Sequence, residues 1–321
     1  MKGLSIIIPC YKRKRELKKC LECLAQNKGI DKEFKYEILV IENSSKKELE
    51  KLVTKFKDLN LRYFWLQKKG ISRAKNFGAK RAKYEILVFC DSDIELKEDV
   101  LLKTFSTFKN NPYAAMVSGK VFWQGTKKLD RPSLTDRFFK YKGFIFAECF
   151  YGRYMACLKK AFLKVGGFDD KLFNMRGEGV DLSTKFWRAG YPLVFNPKIQ
   201  CYHKKEAPFS VSRKIEEKNL LMFRSMILHC YKYDGDLEKS PWRAKALNRW
   251  GRKLFGENLP YKILESAARS LNWFFENKKQ ILISKQEIPK IFDFKPEDIF
   301  SNKTLLLRCL KEAPKRVKAA K

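Results

Sequence analysis

Two aspartates one residue apart, Asp91 and Asp93, follow the apolar run Ile86-Leu87-Val88-Phe89-Cys90. Such a run reads as a strand buried on both faces, so both carboxylates reach one point beyond a sheet edge. Hard oxygen donors at this spacing suit a divalent cation, Mg²⁺ or Mn²⁺, and such a cation usually serves a diphosphate. Other groups with chemical potential lie at comparable places. Pro9-Cys10-Tyr11 and Glu42-Asn43 end apolar runs, Arg73 and Lys75 lie in a basic helical stretch, and Glu178 and Asp181 stand three apart. His203 is one of two histidines in the chain.

The elements that must position these groups alternate along the first 120 or so residues, as in a parallel α/β sheet. Leu4–Ile8, Tyr36–Ile41, Leu61–Trp65 and Glu85–Phe89 read as strands, and a further strand is expected near Ala114–Val117. Leu17, Cys20, Leu21 and Leu24 mark a helix face. Helices are also expected over Lys46–Lys57, Ser72–Ala82 and onward from Asp99, with Ser44-Ser45 as a cap for the first of these. Ligands gather beyond the carboxyl ends of the strands in open sheets of this kind, and three polar strand exits converge there. Residues 120–150 read as irregular and aromatic-rich, the regular pattern returns around Tyr154–Pro197, and the chain from about Glu206 reads as helical, amphipathic and basic, with Trp242, Trp250 and Trp273.

Composition narrows the classes. The 321 residues are 45% hydrophobic, ordinary for a folded protein with a substantial core. No stretch approaches the roughly eighteen apolar residues of a membrane span, and the opening apolar run is too short for a signal peptide, so a cytoplasmic protein is expected. Nine scattered cysteines suit reduced core thiols, and Cys20 and Cys23 read as two residues of one helix, since no second pair accompanies them. A net charge of +33, spread along the chain, points to an anionic surface. An acidic inner leaflet and nucleic acid are the two polyanions to weigh.

In order along the chain, five stretches resemble the motifs of the family 2 glycosyltransferases, an inverting family with the GT-A nucleotide-sugar fold. They are Ser5–Arg13, Ile38–Ser45, Gly70–Gly78, Gly166–Asp169 and Gly177–Leu182, with the Asp91-Ser92-Asp93 strand exit between the third and the fourth. The resemblance covers about Leu4 to His203. It implies a GT-A domain over 1–205, with a donor half to about 119 and an acceptor half from about 120, followed by a mostly helical region over 206–321. It further implies Asp93 as the direct ligand of Mn²⁺ or Mg²⁺, Asp91 as a contact to the ribose or to the metal through water, and His203 as a further ligand. Glu42 is the acid that would hold a uracil or thymine, Tyr11 would pack on the base above the turn shaped by Pro9, and Arg73 and Lys75 would face the diphosphate. The family usually has arginine where Lys75 stands, and lysine lacks the bidentate fork.

The acceptor hydroxyl needs a general base opposite the leaving group. The family's usual Glu-Asp pair is Glu178-Gly179 here, so the expected base is Glu178, with Asp181 either sharing the role or orienting the helix. A buried structural ion pair is the competing reading for both residues. The implied function is metal-dependent transfer of a sugar from UDP or dTDP to a saccharide or lipid-linked saccharide in surface-glycan synthesis, with peripheral docking on the inner leaflet. A sugar-nucleotide pyrophosphorylase is disfavoured because Pro9–Arg13 has no glycine-rich triphosphate loop. A nucleic-acid-binding protein is disfavoured because charge explains neither the acidic strand exits nor Gly166–Asp169.

Overall fold

Three apolar runs near the start of the chain become three adjacent parallel strands. The computed structural model describes residues 1–29, 32–129, 138–150, 152–174, 176–204, 224–225, 227–229, 231–233, 269–270, 272–277, 300 and 302–321. Strand β1 (Gly3–Cys10) is buried along its whole length and pairs in parallel with β2 (Lys35–Glu42) and β4 (Ile86–Cys90), while β2 pairs with β3 (Leu61–Trp65). Helix α1 (Lys14–Ala25) lays Leu17, Cys20, Leu21 and Leu24 on the core, and each leucine so buried is worth about 1.5–3 kcal/mol of transfer free energy. Helix α3 (Ile71–Arg81) packs on β1 and β2. Gly78 lets it come close: a β-carbon there would lie 2.6 Å from Ile7 Cγ2.

The second half is mixed. Strands β5 (Ile94–Leu96), β6 (Met116–Trp123), β7 (Phe138–Tyr141), β8 (Phe144–Ala147), β9 (Tyr154–Leu158) and β10 (Leu193–His203) join the same sheet, in the order β3-β2-β1-β4-β9-β6-β10-β8-β7, with β5 on β10. Strand β9 runs antiparallel to both β4 and β6 and so welds the two halves. Helices α4 (Val100–Asn110), α5 (Lys159–Lys164) and α6 (Glu178–Arg188) flank it. Helix α7 (Lys303–Ala320) packs against α5 and adds Leu306, Leu310 and Val317 to the main core.

Two expectations need correction. The stretch 46–57 holds only the short helix α2 (Glu50–Val53), because the backbone N–H groups of Glu48 and Leu49 donate to the Glu42 carboxylate and hold the preceding chain in a loop. The Ser44 hydroxyl likewise donates to Glu42 (2.6 Å) and caps no helix. Residues 120–150 are more regular than expected, since β6 runs on to Trp123 and β7 and β8 form a hairpin. Its turn residues Lys142 and Gly143 both have positive φ, the backbone that joins two twisted strands most directly. The eight described cysteines are free thiols, and among the described residues no helix is long and apolar enough to cross a membrane. Trp242 and Trp250 lie outside the described residues.

Candidate active site

Asp93 and His203 meet at the carboxyl edge of the sheet because of a backbone ladder. Strand β5 begins one residue after Asp93 and runs antiparallel to the end of β10, with Ile94 opposite His203. The Lys204 N–H donates to the Asp93 carbonyl (3.2 Å), closing that ladder. The result sets His203 Nε2 3.4 Å from Asp93 Oδ2. Trp123, level with His203 on β6, stacks on the imidazole at 5.0 Å and fixes its plane. Arg13, from the loop after β1, brings its guanidinium onto the Asp93 carboxylate, so this corner already accommodates positive charge.

A carboxylate oxygen and an imidazole nitrogen suit Mn²⁺ or Mg²⁺, with the remaining positions left to substrate phosphate and water. The donor set therefore fits the cation. Among the described residues no group of three His, Cys, Asp or Glu side chains forms a cage, and Asp91 turns elsewhere.

Asp91 turns to Lys75. The Lys75 side chain is 0% exposed, and its Nζ lies 3.2 Å from Asp91 Oδ1, 3.2 Å from Glu178 Oε1 and 2.9 Å from the Gly152 carbonyl. Burial works against the ammonium, but Asp91 and Glu178 outweigh it and hold its pKa above the ordinary lysine value. The structure places Lys75 as a sealed post between Asp91 and the first residue of α6. Gly152 makes room for it, since a β-carbon there would come 2.4 Å from Glu178 Oε1 and 2.9 Å from Lys75 Nζ. Glu178 itself keeps about a tenth of its side-chain surface, 10%.

Glu42, the last residue of β2, is enclosed as well. It is 0% exposed, and its carboxylate accepts from the Ser44 hydroxyl, from the backbone of Glu48 and Leu49, and from the Tyr63 phenol. Burial and this carboxylate push the Tyr63 phenol above its usual range. The four donors to Glu42 all come from the protein itself. Its neighbour Asn43 is the reverse: its Oδ1 is buried with no hydrogen-bond partner, and its N–H donates to the Cys10 carbonyl (3.0 Å), beside the Pro9–Tyr11 loop. A buried acceptor without a donor is costly, so it is a natural place for a ligand N–H. In that loop Pro9 is a buried strand residue, Tyr11 is 38% exposed, and the ammonium groups of Lys69 and Lys12 lie 5.0 and 5.6 Å from the tyrosine ring centre. Arg73, half-exposed, points toward Asp170 (4.0 Å).

Asp181 lies one turn into α6. Its side chain is fully buried and is engaged by Lys232 (2.7 Å), Tyr233 (2.7 Å) and Lys185 (3.4 Å). Burial opposes its charge, but the lysines win and hold the carboxyl below the usual range. These contacts form the buried ion pair that is the competing reading for Asp181. Sequence reasoning missed Asn43, Trp123 and Lys232. Asn43 was hidden by its acidic neighbour, and Lys232 by distance along the chain.

Comparison with known proteins follows the same outline. The family profile described as Glycosyl transferase family 2 matches residues 5–168. A chondroitin synthase of Escherichia coli is 35% identical over 95 residues, 29% of this chain and 13% of that protein. A chondroitin synthase of Pasteurella multocida is 26% identical over 282 residues, 70% of this chain and 28% of that protein. The chain thus spans less than a third of either relative. A solved mannosyltransferase from Pyrobaculum calidifontis, in complex with GDP-Man and Mn²⁺, superposes with a TM-score of 0.58 over 99% of this chain and 85% of that one, at 18% identity. TarS of S. aureus in complex with UDP gives 0.54 over 87% and 92%, at 14% identity. These likenesses establish the fold as GT-A.

Proposed function

The chain belongs to glycosyl transferase family 2, and on that premise we propose a metal-dependent inverting transfer of a sugar from a UDP or dTDP donor to a saccharide or lipid-linked saccharide in surface-glycan synthesis. The observation that carries the reading is the Asp93–His203 corner standing beside the post that ties Asp91 to Glu178. Mn²⁺ or Mg²⁺ between Asp93 and His203 would offset the charge that grows on the diphosphate as the anomeric bond breaks. Asn43 Oδ1 accepts the imide N–H of the base, Tyr11 packs on its face, and Asp91, held by Lys75, is presented to the ribose. Lys12, Lys69 and Arg13 supply positive charge at the rim.

Glu178 is the general base in this reading. Lys75 occupies Oε1, which leaves the second oxygen to take the acceptor's proton while the hydroxyl attacks opposite the leaving group. The exposed basic side chains of α7, among them Lys311, Lys315 and Lys318, supply a face for an anionic inner leaflet, each worth about 1 kcal/mol near such a surface. The test is nucleotide release from UDP-, dTDP- and GDP-sugars with Mn²⁺ and a panel of saccharide acceptors, with Asp93→Ala beside the native protein. Turnover that needs Mn²⁺ and disappears in Asp93→Ala is expected. Unchanged turnover in Asp93→Ala would overturn the assignment.

A further inference from the structure

Past the residues that match the family, one lysine enters the acceptor half from the C-terminal part of the chain. Lys232 is 2% exposed at its side chain, and its Nζ lies 2.8 Å from Asp169 Oδ2 and 2.7 Å from Asp181 Oδ1. Asp169 ends the Gly166–Asp169 loop, and Asp181 sits one turn into α6, whose first residue is Glu178. The same loop is gripped from two more sides. Lys185 of α6 donates to the Gly167 carbonyl (2.9 Å), and Asn76 of α3 makes two hydrogen bonds with the backbone of Phe168 (2.8 and 3.0 Å). Neighbours of Lys232 extend the contact: the Tyr233 hydroxyl donates to Asp181 (2.7 Å), and His229 Nε2 lies 3.1 Å from the Thr184 hydroxyl.

We infer that Lys232 is a positioning residue for the transfer reaction, fixing the start of α6 against the Gly166–Asp169 loop so that Glu178 is held at the acceptor's edge of the site. Two carboxylates and two lysines form this cluster, so its formal charge balances only with Lys232 in place. Asp169 and Asp181 come from separate elements, and Lys232 lies within 2.8 Å of a carboxylate oxygen of each. The lysine therefore sets a distance between two segments as well as a charge. Helix α6 is also tied to the donor side through Glu178 and Lys75, so a shift at Asp181 moves Glu178 relative to Asp91. The inference rests on Glu178 as base, and its test reads geometry separately from turnover.

Lys232→Met and Lys232→Arg are compared with the native full chain by amide hydrogen exchange, by titration with UDP and Mn²⁺, and by the acceptor-panel assay. In Lys232→Met, exchange rises in 166–172 and 178–184 and stays unchanged in β1–β4, UDP binding stays within about twofold, and kcat falls about 100-fold, as expected of a base misplaced by about an ångström. Lys232→Arg, which keeps the charge, recovers most of kcat. Lys232→Met with Asp169→Asn restores a neutral cluster and so covers the case in which the single variant fails to fold; it should melt near the native temperature yet keep the exchange and kcat defects. Native exchange and kcat in that double variant would overturn the proposal. Should Glu178→Gln leave transfer intact, the base assignment falls, and the exchange pattern alone decides on Lys232.

Discussion

The molecule buries two lysines between pairs of carboxylates and does so to opposite ends. Both partners of Lys75, Asp91 and Glu178, keep some exposed surface. Lys232 joins Asp169 and Asp181, which have none. In each case charges taken out of water need close partners, and removing one partner strands the other. The difference lies in what the remaining lone pairs face. The carboxylates at Lys75 keep 22% and 10% of their side-chain surface, whereas those at Lys232 face Tyr233, Lys185 and backbone. On the proposed function, the same chemistry serves reactivity at one post and geometry at the other.

The comparison breaks most visibly at Lys75 itself. Lys75→Met leaves Asp91 and Glu178 facing each other without a cation, and we expect a loss of about 3–5 kcal/mol in urea denaturation together with loss of transfer. Stability within error of the native chain would show that the post is dispensable. Glu178→Gln is expected to lower kcat by about 10²–10⁴-fold with UDP affinity preserved, measured by steady-state kinetics and calorimetry. The sealed cluster should answer to pH instead. Burial pushes His229 down to about 4, so the unfolded chain takes up a proton near its ordinary value of 6.5 while the folded chain resists until about 4. Stability from this residue is present above pH 6.5 and lost as pH falls toward 4, about 3 kcal/mol in all, and His229→Gln should remove that share of the acid sensitivity in melts from pH 7 to 4.5. The smallest effect is at the base pocket: Asn43→Ala should weaken UDP about tenfold without altering the melt, as read by calorimetry.

Much of the donor half was legible because its chemistry is local. Asp91 and Asp93 follow an apolar run, and strand exits in a parallel sheet must share an edge. Likewise, the leucine spacing in 17–24 could only be a helix face. Burial was not legible. Glu42 and Asn43 are adjacent, and only the loop that wraps onto Glu42 decides which of them is spent internally. Lys75 carries a charge that a sequence alone assigns to solvent or substrate, and the buried ion pair weighed for Asp181 has partners, Lys232 and Tyr233, far along the chain. The hairpin at 138–147 escaped because its aromatic residues do not alternate with polar ones, although Lys142-Gly143 marks its turn. Glu178 was found by its place in a motif, but its partner lysine was visible only in three dimensions.

The ladder between β5 and β10 brings together Asp93 and His203 from about a third of the chain apart. Contacts of such separation are among the slowest to form, because the intervening loop must close first. The Asp93–His203 corner would therefore be completed late in folding, after β6, β9 and β10 have taken their places in the sheet. A cation that binds only the finished corner draws the whole ensemble toward the native state by mass action. Manganese uptake during refolding would then serve as a clock for the last step of assembly.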